Sequence, residues 1–550
     1  MPATARAGLR QSWLLNLIAC LLLMAMAGNL SVQLGQDASF DLKNYHWYNA
    51  YAFLNDRLGH DIAPAMLQSF LNPLVELPYF LIATYLPDLP AYAAFLQGSY
   101  YGVLVFFLAK LAWRLFPDTP ENLRPRLSIN DNAQAIAIRV RLPQGALRLL
   151  TAVAVGATGT ATISQFGTTS NEIQVSMLVV AGLYFLISAL GTGLSVPRAM
   201  LAGALIGAAA GLKLTAAPYV LGATAAFGLA CRLRGTLRRQ YLPFLLMLAV
   251  TLILLQGSWS FRLYQAYGNP LFPFYNQVFA SEWWDIRPLV TASFFPSDPL
   301  QWLFYPFYWL KQNYWLVMDG GFRDGRIAAS FLALIAIAPA VWRGTTTNSL
   351  DERLPWRLLA IFFLVSYAAW LVTFSTYRYL VPLEALSGVL LVGAVRWNAS
   401  GKHALSVMLL AACALLAWSR YPDYGHVFIS PQVVATEAPE VPSGSLILLV
   451  GDDPMSYVAP SFPADARFVG LANNFLNPGM RNRLQRTVDE TILKHPGAIF
   501  LIEGSRADLR RHDGYLAHYG LQRGDCRPLP TTLEPSGLTF CLTRRQGSQP

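Results

Sequence analysis

Long apolar runs recur along most of the chain, separated by short polar loops, and the pattern changes character only near residue 421. The first run, residues 12–34, is long enough to cross hydrocarbon as a helix. Ten more follow, at roughly 91–112, 147–165, 173–190, 199–211, 215–231, 240–258, 327–342, 357–374, 379–396 and 403–420. The stretch 66–86 is also apolar but carries Pro73, Glu76 and Pro78, which predicts a re-entrant or interfacial helix. The runs 199–211 and 215–231 are short, with GLKLTAAP between them, and predict a hairpin whose tip sits within the outer membrane layer.

Residues 421–550 alternate differently. SLILLVG, ARFVG, AIFLIEG and LTFCLTRR read as short strands, and RNRLQRTVDETILKH and SRADLRRHDGYLAHYG as helices between them. The fold class expected is an α-helical polytopic membrane protein with about eleven transmembrane helices plus juxtamembrane or re-entrant helices. A transmembrane part, 1–420, would be followed by a small C-terminal α/β extracytoplasmic domain, 421–550.

Composition agrees: 54% of residues are hydrophobic and only 13% charged, about half the charge share of a soluble domain. The net charge of +10 lies in loops. Arg6 and Arg10 precede the first run, and the loops holding Arg232–Arg239, Arg343–Arg357 and Arg396–Lys402 alternate with acidic or neutral ones. The positive-inside rule then puts the N-terminus in the cytoplasm and, with an odd number of spans, the C-terminal domain in the periplasm. An excess of Arg over Lys suits a GC-rich bacterium, so the inner membrane is the expected location. The first run is too long for a cleaved signal peptide. Without a soluble basic domain, a nucleic-acid partner is not expected. Cys526 and Cys541 can pair if their region faces an oxidising compartment, whereas Cys20, Cys231 and Cys413 lie in or beside apolar runs.

The chemistry-bearing residues concentrate in the outer loops. The first holds Asp37, Asp41, His46, Asp56, Arg57 and Asp61. From Asp41 onward the segment is helix-compatible, with Asp41, Tyr45, Tyr48 and Ala52 on one face. Such a face suits a sugar, since rings stack on its C–H surface and a carboxylate accepts a hydroxyl proton. It equally suits an interfacial helix capped by Asp41. Asn171 and Glu172 start a span, where an acid complements the helix dipole or marks a site. Lys213, flanked by apolar residues, calls for an anionic partner such as a phosphate, or snorkels. Arg262, Arg323, Arg326 and Arg378 all fall on the outer side, against the positive-inside bias; Arg323–Asp324 and Arg378–Glu384 are the local pairs to expect. No phosphate-loop GKS or GKT, no GxSxG and no HExxH occurs, which argues against ATP-driven transport, a serine hydrolase and a zinc hydrolase.

On these residues the chain resembles the GT-C superfamily of polytopic glycosyltransferases, most strongly over 1–385. The acidic first loop followed by FLNPLVELPYFL is similar to that superfamily's entry. GLKLT resembles the lysine-bearing turn of its aminoarabinose and mannosyl branches, and GNPLFPFYN, FRDGR and YRYLVPLE look like signatures of bacterial members. The resemblance implies a sugar donor on a polyprenyl phosphate or diphosphate carrier, a glycan, lipid or protein acceptor, membrane lipids as surroundings, and inverting transfer. It makes Asp41 similar to the first-loop acid that serves as base. Lys213 and Arg262 become phosphate-side residues, with Arg378, Tyr45, His46, Glu172 and Arg323 as further substrate-binding candidates. Many members place two acids in the first loop, sometimes around a divalent cation such as Mg or Mn. Asp37 and Asp41 would hold it here, four apart rather than the common two. A lipid-linked sugar flippase would instead predict repeated halves, which the sequence does not show. An O-antigen-type polymerase or ligase would put its essential residues in a late outer loop.

Overall fold

The computed structural model describes residues 3–116, 144–191, 195–289, 294–311, 316–317, 321–343, 350–399, 401–422, 424–504, 508–534 and 537–546. The arginine-rich segment expected at 113–148 lies mostly outside them. Among the described residues seven helices are long and apolar enough to cross a membrane: Trp13–Leu34, Ala91–Leu115, Glu172–Ala189, Leu214–Leu233, Leu237–Tyr267, Leu350–Thr373 and Tyr377–Asn398. Four shorter apolar helices, Gln144–Ala157, Val196–Leu212, Arg326–Trp342 and His403–Trp418, occupy the remaining expected positions. The chain is a multi-pass membrane protein. Residues 66–86 do not span: they form a short 3₁₀ turn, Met66–Phe70, and a helix, Leu77–Tyr85.

Small residues let the helices approach closely, as membrane packing requires. Gly203, Gly207 and Gly211 line the face of Val196–Leu212 that meets Leu242–Tyr267; a Cβ at Gly203 or Gly207 would fall on the Phe244 or Leu248 carbonyl. The run expected at 147–165 is broken into Gln144–Ala157 and Thr160–Ser164. Buried carboxylates satisfy the amides freed by the break. Asp324 accepts from the Thr160 N–H at 3.0 Å, and Glu384 accepts from Ala161 at 2.9 Å and Thr162 at 3.0 Å. Glu384 therefore does not pair with Arg378, and Asp324 pairs with the fully buried Arg326 at 2.7 Å rather than with Arg323.

The C-terminal region is a five-stranded sheet. Its strands are β3 (Leu446–Val450), β4 (Arg467–Leu471), β5 (Ile499–Glu503), β6 (Leu521–Leu529) and β7 (Leu538–Arg545), in the order β4-β3-β5-β7-β6. β3 is parallel to β4 and β5, and β7 is antiparallel to β5 and β6. β3 and β5 are buried along their whole length, which fits the unbroken apolar sequence of β3 and of β5 up to Glu503, which pairs with Arg523 and His512. Helices Arg483–Lys494 and Leu509–His518 are capped by Asn482 and Asp508. Cys526 and Cys541 are joined across the β6–β7 pair.

This sheet holds the first loop in place. A short strand β1 (Gln36–Asp37) pairs with β2 (His426–Val427) just before the sheet region. Ile62 pairs beside β4, its N–H bonding to Phe468 O at 2.9 Å. Arg57 makes a two-pronged pair with Asp61 at 2.6 and 2.7 Å and donates to the Ala464 and Ala466 carbonyls. Lys43 reaches Glu534 at 2.6 Å, and the Ser456 hydroxyl donates to the Asn44 carbonyl. The segment carrying Asp41 is thus held between the helical part and the sheet.

Candidate active site

Asp41 begins the ordered part of the first loop without capping it. The cap is Ser39, whose Oγ accepts from the Leu42 N–H at 3.3 Å, while Asp41 makes no capping bond. Its carboxylate is left for other partners. The first turn, Leu42–His46, is a π-helix, a widened turn of the kind found often at functional sites. The wider turn splits the expected four-residue face. Tyr45 stays beside Asp41, its OH 3.5 Å from Oδ2, whereas Tyr48 is carried round to donate to Asp61 at 2.8 Å. Burial holds the Tyr45 phenol well above its ordinary value, and the Asp41 charge adds to this, so it remains a donor.

One cation pairs with this carboxylate, and a second is held by a neighbouring carboxylate. Arg378, 337 residues away in sequence, donates Nη1 to Asp41 Oδ2 at 2.7 Å. Lys213 sits in the turn between Val196–Leu212 and Ala217–Leu233 and donates to Glu172 Oε1 and the Ser170 carbonyl, both at 2.6 Å. Asp41 is 8% exposed and Glu172 2%. Burial pushes the Asp41 carboxyl up, but the charge of Arg378, with Lys213 adding to it, outweighs burial, and the group lies below its ordinary value. It is therefore ionised at neutral pH. Each cation keeps spare donors: the ammonium has three and the guanidinium five.

Glu76, at the head of the Leu77–Tyr85 helix, completes the cluster. Its Oε2 lies 2.8 Å from His46 Nδ1 and 2.6 Å from Asn171 Nδ2. Asn171 holds a left-handed backbone, φ 64°, that aims its amide inward. All three side chains are buried. The sequence reading used Glu76 only as an interruption of an apolar stretch. An acid between two prolines in an otherwise apolar segment was the available signal.

The structure brings Asp41, Tyr45, His46, Glu172, Lys213 and Arg378 together and leaves three expected residues elsewhere. Arg262 lies toward the C-terminal end of Leu242–Tyr267, over the Phe53 ring and 3.5 Å from the exposed Asp56, where it lines a cleft with Tyr48, Arg57 and Trp259. The long helix turns that face toward the end of the first-loop helix, away from Asp41. Arg323 stacks on Trp418, 4.2 Å from the ring centroid, and donates Nε to the Trp418 carbonyl at 2.8 Å. Asp37 is a structural bracket. It accepts from Ser39 N at 2.8 Å, Ser39 Oγ at 3.1 Å, Thr169 N at 2.8 Å and Thr169 Oγ1 at 2.6 Å, so both oxygens face donors. With Asp41 turned to Arg378, the pair does not fit a divalent cation, and among the described residues no three His, Cys, Asp or Glu side chains converge as a metal site.

Among the described residues, seven long and four shorter apolar helices, a first loop carrying a buried acid, and a C-terminal sheet packed on that loop make up the fold. Two solved structures share it. The crystal structure of ArnT from Cupriavidus metallidurans bound to undecaprenyl phosphate aligns over 98% of this chain and 98% of its own, with a TM-score of 0.50 and 13% identity. The apo ArnT structure from the same organism aligns over 97% and 98%, at the same score and identity. No protein-family model and no curated protein matches the sequence.

Proposed function

We propose that this protein transfers a sugar from a polyprenyl phosphate, or diphosphate, carrier to an acceptor hydroxyl on the periplasmic side of the bacterial inner membrane. The observation that carries the reading is the convergence of Lys213 and Arg378 on one buried carboxylate cluster beside membrane-spanning helices. Two outward cations with unused donors at the edge of a bilayer suit a lipid phosphate. The fold shared with a protein crystallised with undecaprenyl phosphate supports the same ligand. The acceptor is a glycan, a lipid or a protein bearing a free hydroxyl. The disulfide between Cys526 and Cys541 supports placing residues 421–550 in the periplasm.

In this reading the lipid phosphate takes the third donor of Lys213 and the free donors of Arg378. As the bond from sugar C1 to the phosphate oxygen breaks, negative charge grows on that oxygen, and the two cations stabilise it. The acceptor oxygen attacks C1 from the opposite side, giving inversion. Asp41, ionised and next to Arg378, accepts the hydrogen bond of the incoming hydroxyl and so sets its approach. Tyr45, which donates to the same carboxylate, fixes the orientation of its two oxygens.

Purified protein in lipid nanodiscs, given a panel of polyprenyl-phosphate sugars and candidate acceptors, should release polyprenyl phosphate and form a glycosylated product. Asp41→Asn should impair transfer through a raised acceptor KM and keep polyprenyl phosphate binding. Transbilayer movement of the lipid-linked sugar with no transfer under any pairing would overturn the reading.

A further inference from the structure

We infer that His46, held by Glu76, is the group that receives the acceptor's proton, and that Asp41 positions the hydroxyl without taking it. This deepens the proposed transfer reaction and rests on it. A hydrogen-bond network around Glu76 fixes the tautomer of the ring. His46 Nδ1 lies 2.8 Å from Glu76 Oε2, and a carboxylate oxygen at that distance requires an N–H. Asn171 Nδ2 also donates to Oε2, so its 3.2 Å approach to Nδ1 is the spacing of two donors sharing one acceptor. The network therefore puts the imidazole proton on Nδ1. Neutral His46 carries its lone pair on Nε2.

That Nε2 is buried, in a residue 2% exposed, and has no hydrogen-bond partner among the described residues. A buried, unpartnered nitrogen is costly unless something fills the gap. An acceptor hydroxyl does so in the required sense, as a donor to the lone pair. The charged and titratable groups around the ring are Glu76 on the Nδ1 side, beside the neutral Asn171 amide, Tyr45 with its ring tilted by 38° and centroids 4.0 Å apart, and Asp41, Glu172, Lys213 and Arg378 across the cluster. Asp41 is the weaker candidate because its carboxylate is committed to Arg378 at 2.7 Å. Glu76 stands behind His46 as a carboxylate stands behind the base of a triad: it sets the tautomer and stabilises the imidazolium that forms.

The step balances. The acceptor oxygen forms a bond to sugar C1, and the C1–O bond to the carrier breaks with its electron pair going to the phosphate. The hydroxyl proton goes to Nε2. The imidazolium then returns the proton to water or to the released phosphate.

The test combines a spectrum with kinetics on the full-length protein in nanodiscs. In ¹⁵N-histidine spectra, assigned by loss of the signal in His46→Gln, wild-type His46 should show a protonated Nδ1 and a bare Nε2. Glu76→Gln should shift the tautomer balance. His46→Gln should lower kcat roughly 100-fold or more with the donor KM and polyprenyl phosphate binding unchanged, which also shows that the variant folds. It should also lose the acid limb of the wild-type pH profile, whereas Asp41→Asn should keep that limb and raise the acceptor KM. A proton on Nε2, or an acid limb unchanged in His46→Gln, overturns this assignment and leaves the transferase reading standing. Wild type that binds no polyprenyl phosphate and transfers no sugar overturns the transferase reading and the proton acceptor with it.

Discussion

Replacing Arg378 by Met leaves Asp41 in a buried setting without its cation. Removing one partner of a buried ion pair costs about 3–5 kcal/mol, and here the two side chains are only 22% and 11% exposed. The carboxyl has a way to limit that cost, which is to bind a proton. Holding a group of ordinary value 3.8 neutral costs about 4.4 kcal/mol at pH 7 and about 1.6 kcal/mol at pH 5, at 1.36 kcal/mol per unit. The sign follows. In wild type the folded carboxyl lies below 3.8, so its contribution is complete above that value and is lost only as pH falls through the still lower folded value. In Arg378→Met the folded value is raised, so the deficit is largest at neutral pH and shrinks on acidification. Asp41→Asn combined with Arg378→Met removes the buried charge altogether. Its deficit should be smaller than that of Arg378→Met at pH 7 and flat between pH 7 and 5. The assay is thermal unfolding of all three variants and wild type in one detergent at one scan rate, since unfolding of a membrane protein this large is a rate measurement. The reasoning is refuted if the double variant is destabilised by the sum of the singles and the Arg378→Met deficit does not change with pH.

Asp37→Asn places an amide N–H₂ against donors from Ser39 and Thr169, and should lower the unfolding midpoint by the equivalent of about 2–3 kcal/mol; added Mg or Mn should not restore it. Lys213→Met strands Glu172 and should weaken polyprenyl phosphate binding at least tenfold, about 1.4 kcal/mol. Adding Glu172→Gln should recover the fold but not the binding, as read by thermal stability and lipid titration. Cys526→Ser opens a loop of 15 residues and should cost about 3 kcal/mol, measured as earlier proteolysis of the C-terminal sheet in wild type under reducing conditions and in the variant alike.

How far the sequence reached depends on the range over which each property is set. The spans were legible because a bilayer demands a run of apolar residues whatever lies beside it, and that demand is local. The same holds for β3, β4, β5 and β7 and the helices Arg483–Lys494 and Leu509–His518, where apolar runs and capping residues stand next to one another. β6 was missed because LQRGDCRPL has no apolar run and is held by its pairing with β7. Asp41 and Lys213 could be singled out because a carboxylate after a span and an ammonium between spans are each conspicuous alone. Their partners could not be read off. Arg378 reaches Asp41 across 337 residues, Glu76 reaches His46 from a segment that looked like a mere interruption, and Glu384 and Asp324 turn to the broken helix instead of to neighbouring arginines. The π-turn after Asp41 rotates Tyr48 away from Tyr45, and the reach of Leu242–Tyr267 carries Arg262 to Phe53. Hydrophobic pattern is a property of neighbours in the chain, so the sequence by itself determined which segments enter the membrane. Which charge meets which is decided by the packing of all those segments at once, and only the tertiary structure contains it.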